Sequence, residues 1–313
     1  MSESHDLDVL AIGEPMLEFS QTGDGGTAPQ YLQGYGGDTS NFAVAAARQG
    51  ARVGYFTRLG RDTFGDRFVA LWQREGIDVA SVQHDPAAAT GIYFISHDEA
   101  GHHFSYYRAG SAASRMRPDD LPQRAIEAAR VLHVSGISQA ISTTACDAVF
   151  AALTMARDAN RLVSYDPNVR LKLWPAARAR AIVLETVALA DYCLPSLEDA
   201  MTLLGDAPPD ALADAFLARG ARCVALKLGP EGVLVATAEE RHRVAGFRVD
   251  TVDATGAGDT FDGAFLTERL RGAPLEDAAR YANAAAALST RGYGAVDPIP
   301  RRDQVERFIA AAS

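Results

Sequence analysis

Apolar residues fall in short runs along this chain, spaced so that strands and helices alternate. Asp8–Ile12 reads as a buried strand and Arg52–Thr57 as another. Between them Thr39–Gln49, rich in alanine and following Gly34, Gly36 and Gly37, predicts a helix ended by Gly50. Phe64–Glu75 predicts a second helix, closed by Gly76. Gly91–Ser96 and His103–Arg108 alternate apolar and polar positions as exposed antiparallel strands do, with Asp98–Gly101 as their turn.

From Ala125 onward the rhythm changes. Strand-like runs at Val131–Ser135, Leu162–Asp166, Tyr192–Pro195 and Cys223–Lys227 are separated by helix-like runs at Thr143–Ala159, Pro175–Ala188 and Ser196–Leu204. A hairpin, Gly232–Ala236 with Arg241–Val249, precedes two helices, roughly Gly256–Arg271 and Leu275–Arg291. Such alternation predicts an α/β fold, a parallel sheet flanked by helices. No repeat, low-complexity stretch or linker divides the chain, so residues 1–313 read as one domain. The alternating segments near 10–35 and 90–110 form a small accessory sheet beside it.

Composition narrows the function. Of 313 residues 48% are hydrophobic, enough for a sizeable core, and 30 Lys+Arg against 40 Asp+Glu give a net charge of −10. An acidic chain repels a polyanion, which argues against nucleic-acid binding; a small anionic substrate stays open, because local arginines and helix N-termini outweigh a distant field. Cys146, Cys193 and Cys223 are too scattered for a disulfide framework or a zinc site, and His102 and His103 have no ligand partners at metal spacing. The start, MSESHDLDVLAIGE, lacks a signal-peptide pattern, and no apolar run approaches a membrane span. The expectation is a soluble cytoplasmic protein with no membrane partner.

The densest chemistry lies in DTVDATGAGDTFDGAF, Asp250 to Phe265. Gly256, Ala257 and Gly258 open an Ala-rich helix, where unpaired amides and the helix dipole attract an anion. Asp259 sets a carboxylate in that first turn. A phosphate-binding loop has no use for it, whereas phosphoryl transfer needs a group to accept the proton of the attacking hydroxyl. A plain helix cap made by Thr255 and Asp259 is the simpler alternative. No GxxxxGK[ST] loop occurs.

A second pattern, GYGGDTSNFAVAAARQG from Gly34 to Gly50, continues into TRLGRDTFG from Thr57 to Gly65. Together the two motifs resemble the paired signatures of the ribokinase-like (PfkB) carbohydrate kinases, and the similarity runs from GEPMLEF at 13–19 to ANAAAALSTRGYGAV at 282–296. The resemblance implies a Rossmann-like, three-layer ribokinase-like fold, with a β lid formed from roughly 14–36 and 90–112. It implies ATP and Mg²⁺, with Asp259 as general base and Gly256, Ala257 and Gly258 as anion hole. On the nucleotide side it points to Ser196, Lys227, Gly229, Gly232 and Asn283. Mg²⁺ placement falls to Asp199, although Ser196-Leu-Glu-Asp199 departs from the family's Asn-x-x-Glu and also reads as a capped helix with first-turn acids. Asp253 and Thr255 occupy positions that would contribute to a monovalent-cation (K⁺) site. Pairing of lids into a homo-oligomer is a further expectation.

For the substrate, His103–Ala112 and Asp166–Trp174 resemble 2-keto-3-deoxygluconate kinases, as does the GGDTSN variant of the first signature. By that resemblance Gly37, Asn41, Tyr93, Tyr106, Arg108 and Arg170 line the sugar pocket, and the terminal (C6) hydroxyl is phosphorylated. Two arginines suit a sugar acid, because guanidinium groups bind carboxylates through charge-assisted hydrogen bonds. Tyr93 reads equally as lid packing, and Asp38 as a sugar contact or a helix cap. Fructokinases share much of this pattern, including Asp-x-Asn-x-Arg, and remain the alternative. A non-catalytic sugar or nucleotide sensor is the alternative outside enzymes, though it has no need of Asp259.

Overall fold

In a computed structural model, which describes residues 7–22, 29–98 and 101–312, the apolar runs become strands buried on both faces. Val9, Leu10, Ala11 and Ile12 show why β1 reads as a continuous run. Leu10 and Ile12 join one hydrophobic cluster, while Val9 and Ala11 join another on the opposite face.

Along the chain, β1 (Leu7–Ile12), β2 (Met16–Thr22) and β3 (Gln30–Gly36) precede α1 (Asp38–Arg48). Then come β4 (Val53–Phe56), β5 (Arg58–Gly60), α2 (Thr63–Arg74), β6 (Gln83–Asp85), β7 (Gly91–Asp98) and β8 (Gly101–Tyr107). The second half holds α3 (Gln123–Ala128), β9 (Ala129–Ser135), α4 (Gly136–Ala140), α5 (Thr143–Asp158), β10 (Leu162–Asp166), α6 (Ala176–Val187), β11 (Tyr192–Cys193), α7 (Leu197–Leu204) and α8 (Pro209–Leu217). It ends with β12 (Cys223–Lys227), β13 (Gly232–Ala236), β14 (Arg241–Ala245), α9 (Ala257–Leu270), α10 (Leu275–Ser289) and α11 (Arg302–Ala312).

The main sheet has the order β14-β13-β12-β11-β10-β9-β1-β4. The strands from β4 to β12 run parallel, whereas β13 pairs antiparallel with both β12 and β14. One face packs on Val149 and Leu153 of α5, Val183 of α6 and Phe216 of α8. The other packs on Phe42 of α1, Trp72 of α2, Phe265 of α9 and Ala282 of α10. From β1 the chain pairs first with β4 on one side and later with β9 on the other. That reversal opens a crevice beyond the carboxyl ends of β1 and β9, the place where open α/β sheets take ligands.

The accessory segments form a four-stranded sheet, β3-β2-β7-β8. The β2–β3 and β7–β8 pairs are antiparallel, and a parallel β2–β7 pair joins them. Phe19 meets Phe64 and Tyr35 meets Phe68, so one face lies on α2. β7 ends at Asp98 and β8 starts at Gly101; the turn residues between them, the side chain of His102 and residues 1–6 lie outside the described set. Helices α3, α4, α8 and α11 and the short β5–β6 pair were not expected from the pattern. The strand anticipated at Tyr192–Pro195 is only Tyr192–Cys193, although Leu194 N still donates to Tyr165 O and Pro195 O still accepts from Lys227 N, both at 2.9 Å. Among the described residues no helix is long and apolar enough to cross a membrane.

The contact of α1 with α9 brings the two sequence motifs together. A Cβ at Gly263 would lie 2.8 Å from Ala45 Cβ, Ala46 N and Phe42 O, so the helices approach backbone to backbone. Gly263→Ala is expected to cost about 1–3 kcal/mol of stability by overpacking, read as a lower midpoint of denaturant unfolding. An unchanged midpoint would show that the helices separate freely.

Candidate active site

Asp259 stands in the first turn of α9, whose N-cap is Gly256 in the left-handed conformation at φ 74°. Ala257 and Gly258 follow as the first helical residues. Asn41, from the first turns of α1, donates Nδ2 to Asp259 Oδ2 at 2.8 Å. Burial pushes the Asp259 carboxyl up to about 7; the charges of Asp38 and Asp166 add to this, while Asn41 and Lys227 oppose it. A base of that strength is matched to proton transfer near neutrality.

Lys227, the last residue of β12, reaches under this turn. Its Nζ donates to both carboxylate oxygens of Asp262 at 2.9 Å and lies 3.6 Å from Asp166 Oδ2. A Cβ on Gly258 would sit 3.6 Å from the same Nζ. These acids hold Lys227 protonated, above the ordinary lysine value, against the opposing effect of burial. Lys227, expected from sequence on the nucleotide side, is therefore already paired, and Asp262 and Asp166 are the partners that sequence reasoning passed over.

The end of β10 turns sharply at Asp166-Pro167-Asn168. Asn168 N donates to Asp166 Oδ1 at 3.2 Å, and Asn168 adopts a left-handed φ of 35°. Its Nδ2 then donates to Asp38 Oδ2 at 3.1 Å, while Asp38 Oδ1 accepts from Thr39 N at 2.8 Å. Asp38, the first residue of α1, thus takes the amide that follows it and anchors the β10 loop at once. Asp199 accepts from Val169 N through Oδ1 at 2.9 Å, and its own amide is capped by Ser196 Oγ at 3.0 Å. Burial, with Asp166 nearby, holds the Asp199 carboxyl above the usual range, while Arg170 works against the shift. Arg170 is exposed, donates Nη1 to Val169 O, and among the described residues pairs with no carboxylate. It nonetheless lies near enough to Asp38 and Asp199 to lower both.

Arg108 has a different setting. Its Nε donates to Glu14 Oε2 at 2.8 Å, Nη2 bonds the same oxygen, and Ser111 Oγ donates to Glu14 Oε1. Glu14 has no exposed side-chain surface and Arg108 keeps 12%. The charge of Arg108 also opposes the upward push of burial on the Asp38 carboxyl, and Nη1 is the nitrogen not engaged with Glu14. Gly37 has φ 100°, and a Cβ there would fall 2.4 Å from the Glu14 carbonyl, so its glycine lets the segment after β1 pass the N-terminus of α1. The Tyr93 hydroxyl bonds Glu18, and its ring stacks on Tyr106, 47% exposed, across β7 and β8.

Other expected positions stand apart. Asn283 Nδ2 is used by the carbonyls of Val244 and Ala245 at 3.1 Å, tying α10 to β14. Gly229 and Gly232 lie in the turn from β12 to β13. Asp253 accepts from Thr255 N and Oγ1 through Oδ1, and from Gly294 N through Oδ2. It is not clustered with Asp199, and among the described residues no group of three or more His, Cys, Asp or Glu forms a metal cage.

A model of the pfkB family carbohydrate kinases matches residues 6–302. The chain is 33% identical over 311 residues to 2-dehydro-3-deoxygluconokinase of Bacillus subtilis (strain 168), covering 97% of this chain and 96% of that protein. It is 32% identical over 314 residues to probable fructokinase-4 of Arabidopsis thaliana, covering 96% of each. An E. coli crystal structure in complex with ATP and Mg²⁺ superposes with a TM-score of 0.90 at 26% identity, covering 97% of this chain and 99% of that one. The expected ribokinase-like fold is therefore the observed one, and the chain belongs to the pfkB family of carbohydrate kinases.

Proposed function

We propose that this sugar kinase moves the γ-phosphoryl group of ATP to the terminal (C6) hydroxyl of 2-keto-3-deoxygluconate, with Asp259 as the base. The observation that carries the reading is the pairing of Asp259 with Asn41 at the N-terminus of α9. Asp259 accepts the hydroxyl proton as the sugar oxygen attacks phosphorus, and the Gly256–Gly258 amides meet the charge on the transferred group. The four-stranded sheet serves as the lid that keeps water from competing for the phosphoryl group.

Asp199, with Asp166 beside it, offers oxygen donors at an acidic spot, which suits a hard cation such as Mg²⁺ held by one or two carboxylates and the phosphates. Mg²⁺ there would offset phosphate charge. Arg170 supports a sugar acid, since a guanidinium with no carboxylate of its own is free to take the substrate's. A neutral sugar such as fructose is the second reading, favoured by the neutralisation of Arg108 through Glu14. An ADP-release assay over a panel of sugars and sugar acids tests both. Highest kcat/KM on 2-keto-3-deoxygluconate is expected, and preference for fructose would replace the first reading with the second.

The rate should also titrate. Only ionised Asp259 accepts a proton, so kcat/KM is expected to fall about tenfold per pH unit below an apparent pKa near 7. A profile flat between pH 5.5 and 8 would place the base elsewhere, these limits being about 1.5 units below and 1 above that value.

A further inference from the structure

Asp262 is a buried acid that proton transfer at Asp259 leaves unused. It lies one turn beyond Gly258 on α9, is 1% exposed, and takes two hydrogen bonds from Lys227 Nζ. An ammonium carries three N–H donors. Two go to Asp262, and the other carboxylate, Asp166, stands at 3.6 Å, too far for a hydrogen bond. One N–H is left without a close acceptor. Lys227 Nζ lies 3.6 Å from where a Gly258 Cβ would stand, so the ammonium sits against the first turn of α9.

We propose that Asp262 is a positioning residue that holds Lys227 so that its third N–H meets an oxygen of the transferred phosphoryl group. The inference rests on the reading of this helix end as a phosphoryl-transfer centre. Lysine is a point charge on a flexible stem, and a carboxylate gripping it through both oxygens fixes where that charge sits. The ammonium keeps all its protons throughout. It acts as a donor in place before charge develops, which lowers the barrier without reorganisation. Asp262 touches neither substrate nor nucleotide and works only through Lys227.

The test compares Asp262→Asn, Lys227→Met and the double variant with the parent enzyme, using ATP, Mg²⁺ and 2-keto-3-deoxygluconate, or fructose if the panel selects it. Asp262→Asn is expected to lower kcat about 10- to 100-fold per folded enzyme, as loss of positioning does, with the sugar KM changed less than about twofold. The double variant is expected to match Lys227→Met, because the acid acts through the lysine. A purely structural Asp262 would lower the unfolding midpoint and leave kcat per folded enzyme unchanged. The proposal is overturned if folded Asp262→Asn keeps parental kcat, an outcome that stands even where Lys227→Met does not fold. It is also overturned if the two losses multiply in the double variant. Asp259→Asn run alongside separates the readings: an active Asp259→Asn removes the base, whereas an inactive one beside a fully active Asp262→Asn removes only the role of Asp262.

Discussion

Asp259→Asn is expected to lower kcat by about 100- to 10,000-fold, the range for loss of a positioned base, while the protein folds at least as stably as the parent at pH 8. The two halves have one cause. Burial and the acids around Asp259 hold its carboxyl near 7, against an ordinary value of 3.8. Between those values the folded chain keeps a proton that the unfolded chain releases, so the parent loses stability as pH rises through that window. Asparagine is neutral at every pH and escapes the loss. It still fills the space and still bonds the Asn41 amide, because either amide can rotate to match donor with acceptor. What it lacks is a basic oxygen. Steady-state kinetics and thermal unfolding at pH 8 check both halves. Near-parental kcat would exclude Asp259 as the base, and a marked fall in the unfolding midpoint would show that the carboxylate is structural.

The repeating strands and helices, the two glycine motifs and the place of Asp259 in the first turn of a helix were legible because each depends on local pattern. The partnerships were not. Glu14 meets Arg108 across 94 positions, and Lys227 meets Asp262 across 35. In linear form Asp262 looks like an ordinary polar helix position; only the end of β12 under α9 reveals a buried ion pair. Asn168 joins β10 to Asp38 through a left-handed turn that an Asp-Pro-Asn string alone does not specify. These contacts also change the electrostatic picture. The cations expected to handle anions are matched by Glu14, Asp38, Asp166 and Asp262, so the region is acidic like the rest of the chain. Helix amides, the N–H of Lys227 that Asp262 leaves over and the Arg170 guanidinium, which pairs with no carboxylate among the described residues, are what remain to receive negative substrates.

Arg170→Ala is therefore the substitution expected to separate a sugar acid from a neutral sugar. A charge-assisted hydrogen bond contributes about 1.5–3 kcal/mol, so losing Arg170 should raise KM for 2-keto-3-deoxygluconate about 10- to 150-fold. KM for fructose, which carries no carboxylate, should move less than about threefold. Arg108 is the poorer probe, because its removal strands Glu14 without a counter-charge in a fully buried position. Activity lost there would report a disturbed fold as readily as a lost substrate contact. Arg170 is exposed and bonds only a neighbouring carbonyl, so its alanine variant breaks no buried ion pair and only withdraws a nearby charge from Asp38 and Asp199. The unfolding midpoint should stay within about 2 °C of the parent. Equal KM changes on the two sugars would remove the carboxylate contact and leave Arg170 to the nucleotide phosphates, which both reactions share.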